Sequence, residues 1–501
     1  MTPVRGSSAG NGQVEQRPRV HLRPADGWIN DPTGPLRWNG SVHLFHQYNP
    51  DGGYWDRPHW GHLVSNDLVR WERRPPALSP GEHGPDREGC FSGCTVVDGD
   101  DAVIVYTGAR GPAGPSQTQT TCLARSRDPD LEEWEKDPAN PVLGPPPARE
   151  LLGFRDPFVW RAQGRWWQLV GAGTLEGGGE VLLAVSDDLK EWTHLGPVLE
   201  GRDLQALDPA VWTGSMWECP ALLRAPDADL LLLSIHDETT THHPLAVVGH
   251  LGTDGFAPSA IQRFDLGPDL YAPCLLSEPD GSAISWGWSW EARSERSQRE
   301  AGWAGVLSAP RRLRVVDGEL RLSPLEALSE LRSREVDLAW VQEPGGRRAA
   351  GVDHDVLDIE VVLHERVEEV AIHLRCSPDG RERTVLHLDR QRREVWLDRD
   401  RASLAGDAVG GRYGGTLTDA PTRVRILLDR SIVEVFVDDR VSLTCRIYPT
   451  LPDSTGLRLV GGASAVAGVE LCAFELSSIW VPGDRAVPPE SQPGPQPGPE
   501  R

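Results

Sequence analysis

The sequence predicts an all-β protein, a five-bladed β-propeller followed by a β-sandwich domain. Three related segments, "SNDLVRW", "SRDPDLEEW" and "SDDLKEW", begin at Ser65, Ser126 and Ser186, which are 61 and 60 residues apart. Runs typical of β-strands, such as "HWGHLV" and "VLLAV", precede the copies, and others such as "DAVIVYTG" lie between them. A period near 60 residues with about four short strands is typical of a propeller blade. Residues 19–322 are therefore expected to hold about five blades.

Alternation of apolar and polar residues in the last third of the chain predicts the sandwich. It is clear in "TVLHLDRQRREVWLDRD" and "TRVRILLDRSIVEVFVDDR", as expected when one face of a sheet is in water. We assign residues 339–483 to this domain. Between the domains, Leu325, Leu328 and Leu331 are three residues apart, which predicts a linker helix over residues 323–338.

Both ends of the chain are predicted to be disordered. Residues 1–18 are polar and rich in Gly and Ser, and residues 484–501 are rich in Pro, so neither can form a hydrophobic core. The N-terminal stretch also lacks the apolar core of a signal peptide, and no later stretch is long and apolar enough to cross a membrane. These features predict a cytoplasmic protein with no membrane partner.

Charge and cysteine usage narrow the class of protein. The 501 residues carry a net charge of −23, which would repel phosphates and argues against a nucleic-acid partner. The eight Cys are scattered singly, as expected of reduced thiols. Cys90 and Cys94 could form half of a zinc site, but no second pair at finger spacing follows. The segment "HDETTTHHP" (236–244) is interpreted as a polar loop, so we expect no metal and no cofactor.

Three carboxylates lie beside Pro at positions that follow the repeat. They are Asp31 in Asn-Asp-Pro, Asp156 in Arg-Asp-Pro and Glu218 in Glu-Cys-Pro, separated by 125 and 62 residues, about two periods and one. Asp31 alone would be a turn residue, because Asn-Asp-Pro-x-Gly favours turns. Innermost propeller strands converge on one axis, however, so equivalent positions are expected to face one pocket.

Capping of contacts between blades is the alternative role for these acids. We assign that role to Asp67, Asp128 and Asp188 of the repeated segments. Acids that face one pocket are better explained by a common functional role, because ionisable groups cluster at functional sites.

A pocket with two or three carboxylates and nearby Trp suits glycoside cleavage. The reaction needs one protonated acid to donate to the leaving oxygen and one ionised carboxylate to attack the anomeric carbon. Arg155 precedes Asp156 and is expected to lower the pKa of its carboxyl, so that Asp156 stays ionised and accepts hydrogen bonds from sugar hydroxyls.

The ordered motifs "WINDPTG", "FSG", "FRDP" and "WECP" resemble those of glycoside hydrolase family 32, the β-fructofuranosidases (invertases), levanases and inulinases. Further segments, including "HLFHQYNP", "FDLGPDLYAP" and "DRSIVEVFVDD", extend the resemblance over about residues 19–480. It implies a propeller followed by a sandwich, and hydrolysis with retention of configuration. By motif match, Asp31 would be the nucleophile, Glu218 the general acid/base and Asp156 a transition-state stabiliser helped by Arg155.

The resemblance also implies a set of substrate-binding residues, namely Asn30, Gln47, Trp55, Phe91, Ser92, Arg155, Trp288 and Asp269. For Trp55 and Trp288 the alternative is core packing. The expected partner is a small carbohydrate such as sucrose, its phosphate or a short fructo-oligosaccharide, bound by a monomer or weak homo-oligomer. The carboxyls of Asp31 and Glu218 are predicted to lie roughly 5–5.5 Å apart, as double displacement requires.

Two departures from the family pattern leave the preferred substrate open. Thr33 stands where Asn is usual, and Ala221 stands where an acid usually follows Glu-Cys-Pro. Both flank catalytic candidates, so we expect them to affect the leaving-group side. A fructosyltransferase on the same scaffold and a non-catalytic fructan-binding protein are the two alternatives.

Overall fold

The computed structural model describes residues 15–481, except 115, 238–239 and 351. The predicted tail 484–501 and most of the predicted tail 1–18 lie outside the described residues. Residues 15–18 differ from the expected disorder, because Gln16 Nε2 donates a hydrogen bond of 2.6 Å to the carbonyl oxygen of Pro449. In the described part of the chain, no helix is long and apolar enough to cross a membrane.

The first part of the chain forms five sheets. The first contains β1 (Gly27–Trp38), β2 (Ser41–Asn49), β3 (His59–Ser65) and β4 (Glu72–Leu78). The second contains β5 (Gly89–Asp98), β6 (Asp101–Arg110), β7 (Thr118–Ser126) and β8 (Glu135–Lys136). The third contains β9 (Gly153–Ala162), β10 (Arg165–Thr174), β11 (Gly178–Ser186) and β12 (Trp192–Glu200), and helix α1 (Gly201–Leu207) follows it.

The remaining two sheets complete this part. The fourth contains β13 (Met216–Arg224), β14 (Asp229–Asp237), β15 (Thr240–Gly252) and β16 (Gly255–Arg263). After it come β17 (Tyr271–Ser277), β18 (Ala283–Ser289), helix α2 (Glu295–Ala301), β19 (Trp303–Ala304), β20 (Val306–Leu307), β21 (Arg311–Val316) and β22 (Glu319–Pro324). Strand β19 pairs in parallel with β1, and the other strands of this group form the fifth sheet. The C-terminal end of this part is thereby tied to its beginning.

The first strands of the five sheets contact one another in cyclic order, β1 with β5, β5 with β9, β9 with β13, β13 with β17 and β17 with β1. Within each sheet, successive strands pair in antiparallel register. Side chains of the first strands can therefore meet although they are far apart in sequence. The all-β prediction is confirmed, whereas the count of five blades stays a prediction.

The repeated Ser-x-Asp segment forms the turn between the third and fourth strands of a sheet. In the first copy, Asp67 Oδ1 accepts hydrogen bonds from the backbone N–H groups of Val69 (2.8 Å) and Arg70 (2.7 Å). Leu68 has φ of 66°, and the indole N–H of Trp71 donates to its carbonyl oxygen at 3.3 Å. The other two copies bond in the same way. These acids therefore stabilise local turns, and their assignment as caps between blades is wrong, since short Asx side chains reach their own backbone first.

The predicted linker helix is shorter than expected. A 3-10 helix covers Glu326–Leu331, and Arg332–Glu335 forms strand β23, which pairs with Val469–Leu476. Leucines spaced by three fit the three residues per turn of a 3-10 helix, and Leu328 and Leu331 are buried. The residues that follow gain more backbone hydrogen bonds from the sheet than a lone helix turn would give them.

The last part of the chain forms two antiparallel sheets of six and seven strands. The six-stranded sheet contains, in spatial order, β23, β35 (Val469–Leu476), β26 (Val356–Leu363), β31 (Arg423–Asp429), β32 (Ile432–Val437) and β33 (Val441–Arg446). The seven-stranded sheet contains β24 (Ala339–Glu343), β25 (Gly346–Ala350), β34 (Gly456–Val460), β27 (Glu369–Cys376), β28 (Arg383–Asp389), β29 (Glu394–Arg401) and β30 (Arg412–Thr416). Helix α3 (Ala463–Val466) precedes β35. Aliphatic side chains of both sheets form one buried cluster, as the alternating pattern predicts.

A buried ionic network joins the two parts. Arg311 of β21 lies 2.9 Å from Asp265 and 2.6 Å from Glu434 of β32. Although burial opposes ionisation of Glu434, Arg311 and His21 lower the pKa of its carboxyl to about 2. Buried charges need such partners, so this contact fixes the relative position of the two parts.

Candidate active site

A cavity of about 670 Å³ contains all three candidate acids. Asp31 lies on β1, Asp156 on β9 and Glu218 on β13. The second and fifth sheets contribute Ser92 of β5 and Tyr271 of β17. Each of the five sheets therefore contributes a residue of its first strand to the lining of the cavity.

The backbone explains why these side chains face the cavity. In each sheet the pairing of the first and second strands shifts register next to them, between Ile29 and Pro32, Phe91 and Gly93, Arg155 and Phe158, Glu218 and Ala221, and Tyr271 and Cys274. Such bulges re-aim side chains and interrupt the ladder. In four of the sheets the bulge contains Pro, which cannot donate to the ladder. The acid-Pro motifs therefore mark bulges.

The bulges also show that the three acids are not strictly equivalent. Asp31 and Asp156 directly precede Pro, whereas Glu218 lies two residues before Pro220. The residue before Pro is left-handed in three sheets, with φ of 62° at Asp156, 49° at Cys219 and 47° at Ala272. Left-handed backbone is costly outside Gly, and strain of this kind accompanies functional sites.

Asp31 lines the cavity and is half-buried. The hydroxyl of Ser92 donates a hydrogen bond of 2.8 Å to Asp31 Oδ2, and the thiol of Cys219 lies 3.6 Å from the same oxygen. Burial and the nearby charge of Glu218 raise the pKa of the Asp31 carboxyl. Ionisation of Asp31 therefore depends on the charge of its neighbours.

Asp156 is held by a side chain of the second sheet and a backbone N–H of the fourth. Its N–H donates to Thr107 Oγ1 at 2.8 Å, and its Oδ2 accepts a hydrogen bond of 3.0 Å from the N–H of Cys219. Burial and the charge of Glu218 raise the pKa of Asp156 to about 7, and the opposing effect of Arg155 is too small to prevent this. The expectation of a lowered pKa is wrong, because Arg155 is turned toward Glu218.

Glu218 accepts hydrogen bonds at both of its carboxylate oxygens. Arg155 Nε lies 2.7 Å from Glu218 Oε1, and the hydroxyl of Tyr271 donates to Oε2. Although burial opposes ionisation of Glu218, Arg155, His236 and Tyr271 outweigh it and lower the pKa of this carboxyl. The sequence-based prediction missed Tyr271. The Tyr-Ala-Pro of "DLYAP", which repeats the spacing of Glu-Cys-Pro, could have identified it.

The three carboxylates of the cavity share the positive charge of Arg155. Among the described residues that line the cavity, the side chains of full charge are three carboxylates and the guanidinium of Arg155. One buried and two half-buried carboxylates beside one cation cannot all be ionised at moderate cost, so they titrate as a coupled group. The cluster therefore retains a proton that can be passed to a bound molecule.

Most other predicted binding residues line the same cavity, namely Asn30, Gln47, Trp55, Phe91, Ser92, Arg155 and Trp288. Asn30 Oδ1 accepts from the indole N–H of Trp28 at 2.8 Å, and Gln47 Nε2 donates to the carbonyl oxygen of Cys90 at 2.9 Å. Trp55 is 45% exposed and meets Phe91 edge-on at 5.9 Å. Its exposure argues against core packing.

Asp269 does not line the cavity. It is buried and paired with Arg399 of the last part of the chain, and it accepts a hydrogen bond of 2.7 Å from the N–H of Arg446. Its other oxygen accepts from the indole N–H of Trp290 at 3.0 Å, and Trp290 stacks on Tyr271 with ring centroids 5.7 Å apart. The prediction that Asp269 contacts the substrate is therefore corrected. Asp269 instead supports the wall of the cavity from behind.

The two family departures lie in a second cavity of about 350 Å³, which shares Ser92 and Asp156 with the first. Thr33 Oγ1 donates to the carbonyl oxygen of Gly93 at 2.7 Å and accepts from its N–H at 3.0 Å, so it links β1 to β5. Ala221 is buried beside Pro220 in the same cavity. Since neither residue lines the larger cavity, their expected effect on the leaving-group side is not supported.

The "HDETTTHHP" segment lies at one edge of the larger cavity, where His236 and Thr241 line it. Glu238 lies outside the described residues. Within the described ranges, no group of three or more His, Cys, Asp and Glu side chains is arranged to hold a metal ion.

Comparisons with known proteins agree with this geometry. Residues 21–324 match the model of the glycosyl hydrolases family 32 N-terminal domain, and residues 327–475 match that of the family's C-terminal domain. A sucrose-6-phosphate hydrolase of Zymomonas mobilis is 32% identical over 461 residues, covering 87% of each chain. A raffinose invertase of Escherichia coli is 32% identical and covers 86% of this chain and 89% of its own.

A solved structure shows the same architecture. The family 32 β-fructofuranosidase of Bombyx mori has 26% identity and a TM-score of 0.78, covering 94% of this chain and 96% of its own. Both family domains are matched in order, and the acids they bring together suit glycoside cleavage. The chain is a glycosidase that belongs to glycosyl hydrolase family 32.

Proposed function

We propose that this protein is a retaining, exo-acting β-fructofuranosidase that releases terminal β-D-fructosyl units from sucrose or short fructo-oligosaccharides. The observation that carries the proposal is the meeting of Asp31, Asp156 and Glu218 in one cavity. The names of the relatives, a sucrose-6-phosphate hydrolase and a raffinose invertase, support a fructosyl-containing substrate. The cytoplasmic location that the sequence predicts favours small substrates, because long fructans do not enter a cell.

We propose that the five sheets are blades of one propeller whose axis passes through the acids. Cyclic contact of the first strands supports this arrangement. A cleft walled by five blades, closed below by the acids, would admit only the end of a sugar chain, which favours exo-action.

In the first step, a carboxylate oxygen of Asp31 bonds to C2 of the fructosyl unit. The bond from C2 to the leaving oxygen breaks, and that oxygen takes the proton of Glu218. In the second step, the Glu218 carboxylate takes a proton from water while the water oxygen bonds to C2 and Asp31 leaves as a carboxylate. Ser92, which donates to Asp31, stabilises the charge on the leaving nucleophile.

Asp156 would accept hydrogen bonds from hydroxyls of the sugar ring. It would also hold the proton that the three carboxylates share. Its raised pKa makes it a site for the shared proton before substrate binds, whereas Arg155 and Tyr271 favour the ionised form of Glu218. Substrate hydroxyls that donate to Asp156 favour its ionised form, which leaves the proton for Glu218. Binding and activation of the acid are thereby coupled.

Product analysis with sucrose, 1-kestose and a short levan oligosaccharide tests the proposal. We expect wild-type protein to release free fructose, and Asp31→Ala and Glu218→Gln to release none. Proton NMR of the first product should show β-fructofuranose, the retained anomer. Inverted product, or a separation of the two carboxyls near 9 Å, would overturn the retaining mechanism. Longer oligosaccharides would indicate a transferase, and binding that Glu218→Gln leaves unchanged, without turnover, would indicate a fructan-binding protein.

A further inference from the structure

Two loops at one side of the cavity belong to the third and fourth sheets. The turn between β10 and β11 contributes Leu175, which lines the cavity and is 85% exposed. The segment between α1 and β13 contributes Ser215, which also lines it. These loops touch, because a Cβ placed on Gly178 would lie 3.1 Å from the carbonyl oxygen of Gly214. They form a continuous rim.

Trp212 lies on this rim. It is three residues before Ser215, so its Cα lies within about 11 Å of a residue of the cavity wall. Its ring meets that of His242 at 4.4 Å with an interplanar angle of 78°, and His242 follows Thr241, another cavity residue. The position of Trp212 is thus fixed from two sides beside the mouth.

The exposure of Trp212 is unusual. It is 45% exposed, and among the tryptophans of the described ranges only Trp55 is exposed to a similar degree. Trp55 lines the cavity itself. Water contact costs an indole about 25 cal/mol for each Å² of apolar surface, so a second exposed Trp beside the same mouth needs a reason.

We propose that Trp212 is the platform of an outer sugar-binding subsite, which holds a distal unit of an oligosaccharide whose terminal fructosyl unit lies on Asp31. This inference rests on the proposed function. An indole offers a broad apolar face to the C–H face of a sugar ring, while its N–H can meet a hydroxyl. The neighbouring ring of His243 is uncharged, since burial lowers its pKa to about 4, which suits a neutral ligand. On this proposal the rim is occupied by units beyond the second, so sucrose, with two units, does not use it.

The kinetic test compares sucrose with a β-2,1-linked fructan tetrasaccharide. We expect Trp212→Ala to lower the ratio of kcat/KM for the tetrasaccharide to kcat/KM for sucrose about five- to tenfold, the size of one aromatic stacking contact. Trp212→Phe should recover most of the ratio. Leu195→Ala, which removes an exposed apolar side chain from the outer strand β12, is the matched control and should not change it. A ratio that stays within twofold in Trp212→Ala would overturn the proposal.

A binding measurement distinguishes failure of this inference from failure of the proposed function. Calorimetric titration of the tetrasaccharide into Asp31→Ala, with and without Trp212→Ala, needs no turnover. Five- to tenfold weaker binding in the double variant supports the subsite even if wild-type protein releases no fructose, a result that would overturn only the proposed function. Equal affinities, or no binding to Asp31→Ala at all, would overturn the subsite.

Discussion

Arg155 Nε lies 2.7 Å from Oε1 of Glu218, which is 63 residues away in the chain. The pair places the guanidinium of Arg155, the one Arg among the described lining residues, on the residue proposed as the proton donor. Because the hydroxyl of Tyr271 binds the other oxygen, Glu218 is ionised when the cavity is empty. Its proton must then come from within the carboxylate cluster, where burial and the charge of Glu218 raise the pKa of both Asp31 and Asp156, that of Asp156 to about 7. This relationship leads to the first two predictions.

The activity should fall as the pH rises through about 7. With a pKa of about 7, Asp156 carries the shared proton below that pH and loses it above. Loss of the last proton leaves no acid for the leaving oxygen, so kcat/KM for sucrose should decrease about tenfold per pH unit on the basic side. A pH profile of kcat/KM from pH 4 to 9 measures this decrease on the basic side, the basic limb of the profile. The apparent pKa of the limb belongs to the three coupled carboxylates together. A flat profile between pH 6 and 8.5 would contradict it.

Replacement of Tyr271 by Phe should slow catalysis and shift the same limb. The change removes the hydroxyl that donates to Glu218, so Glu218 keeps its proton to higher pH. We expect the basic limb to move upward and kcat/KM at pH 6 to fall roughly tenfold, because a hydrogen bond to a charged group contributes about 1.5–3 kcal/mol. A loss of activity with an unshifted limb would assign Tyr271 a packing role only. Trp290→Phe, on the ring that stacks on Tyr271, is the control for packing.

Replacement of Asp269 by Ala should weaken the fold more than substrate binding. It leaves Arg399 buried without its partner, which typically costs about 3–5 kcal/mol of the free energy of unfolding. Urea titration should therefore show a large loss of stability, while KM for sucrose changes less than about threefold through Trp290. The double variant Asp269→Ala/Arg399→Met, which removes both charges, should recover part of the stability. A large rise in KM at unchanged stability would indicate instead that Asp269 contacts the substrate.

Sucrose 6-phosphate should be a poorer substrate than sucrose. The charged groups among the described lining residues are three carboxylates and Arg155, which is engaged by Glu218, so a phosphate would meet net negative charge. We expect kcat/KM to be at least about tenfold lower for the phosphate, and the gap to narrow as salt screens the repulsion. Parallel kinetics with both sugars at two ionic strengths measure this. An equal or higher kcat/KM for the phosphate would show that a cation reaches the ligand from elsewhere.

The sequence by itself determined the fold class and the three acids. A motif repeated about every 60 residues marks the turn before the last strand in three of the sheets. The spacing of Asp31, Asp156 and Glu218 follows the same period, so they could be placed on equivalent strands. Pro one or two residues after each acid indicated a local bulge, because Pro cannot donate a hydrogen bond to the strand ladder. The alternation after residue 339 likewise predicted a sandwich from local pattern.

Only the tertiary structure decided which groups meet. Arg155 was assigned to its neighbour Asp156, but a guanidinium on a long side chain can reach across to the next sheet, and there it binds Glu218. Asp269 was assigned to the substrate because its segment resembles that of the family, yet its partner Arg399 lies 130 residues away in the other domain. Tyr271 acquires its place from a contact between the fifth and fourth sheets, and Trp212 from its contact with His242, 30 residues further along the chain. Pairing of buried charges depends on distances between strands, and these are set by packing of the whole chain rather than by spacing along it.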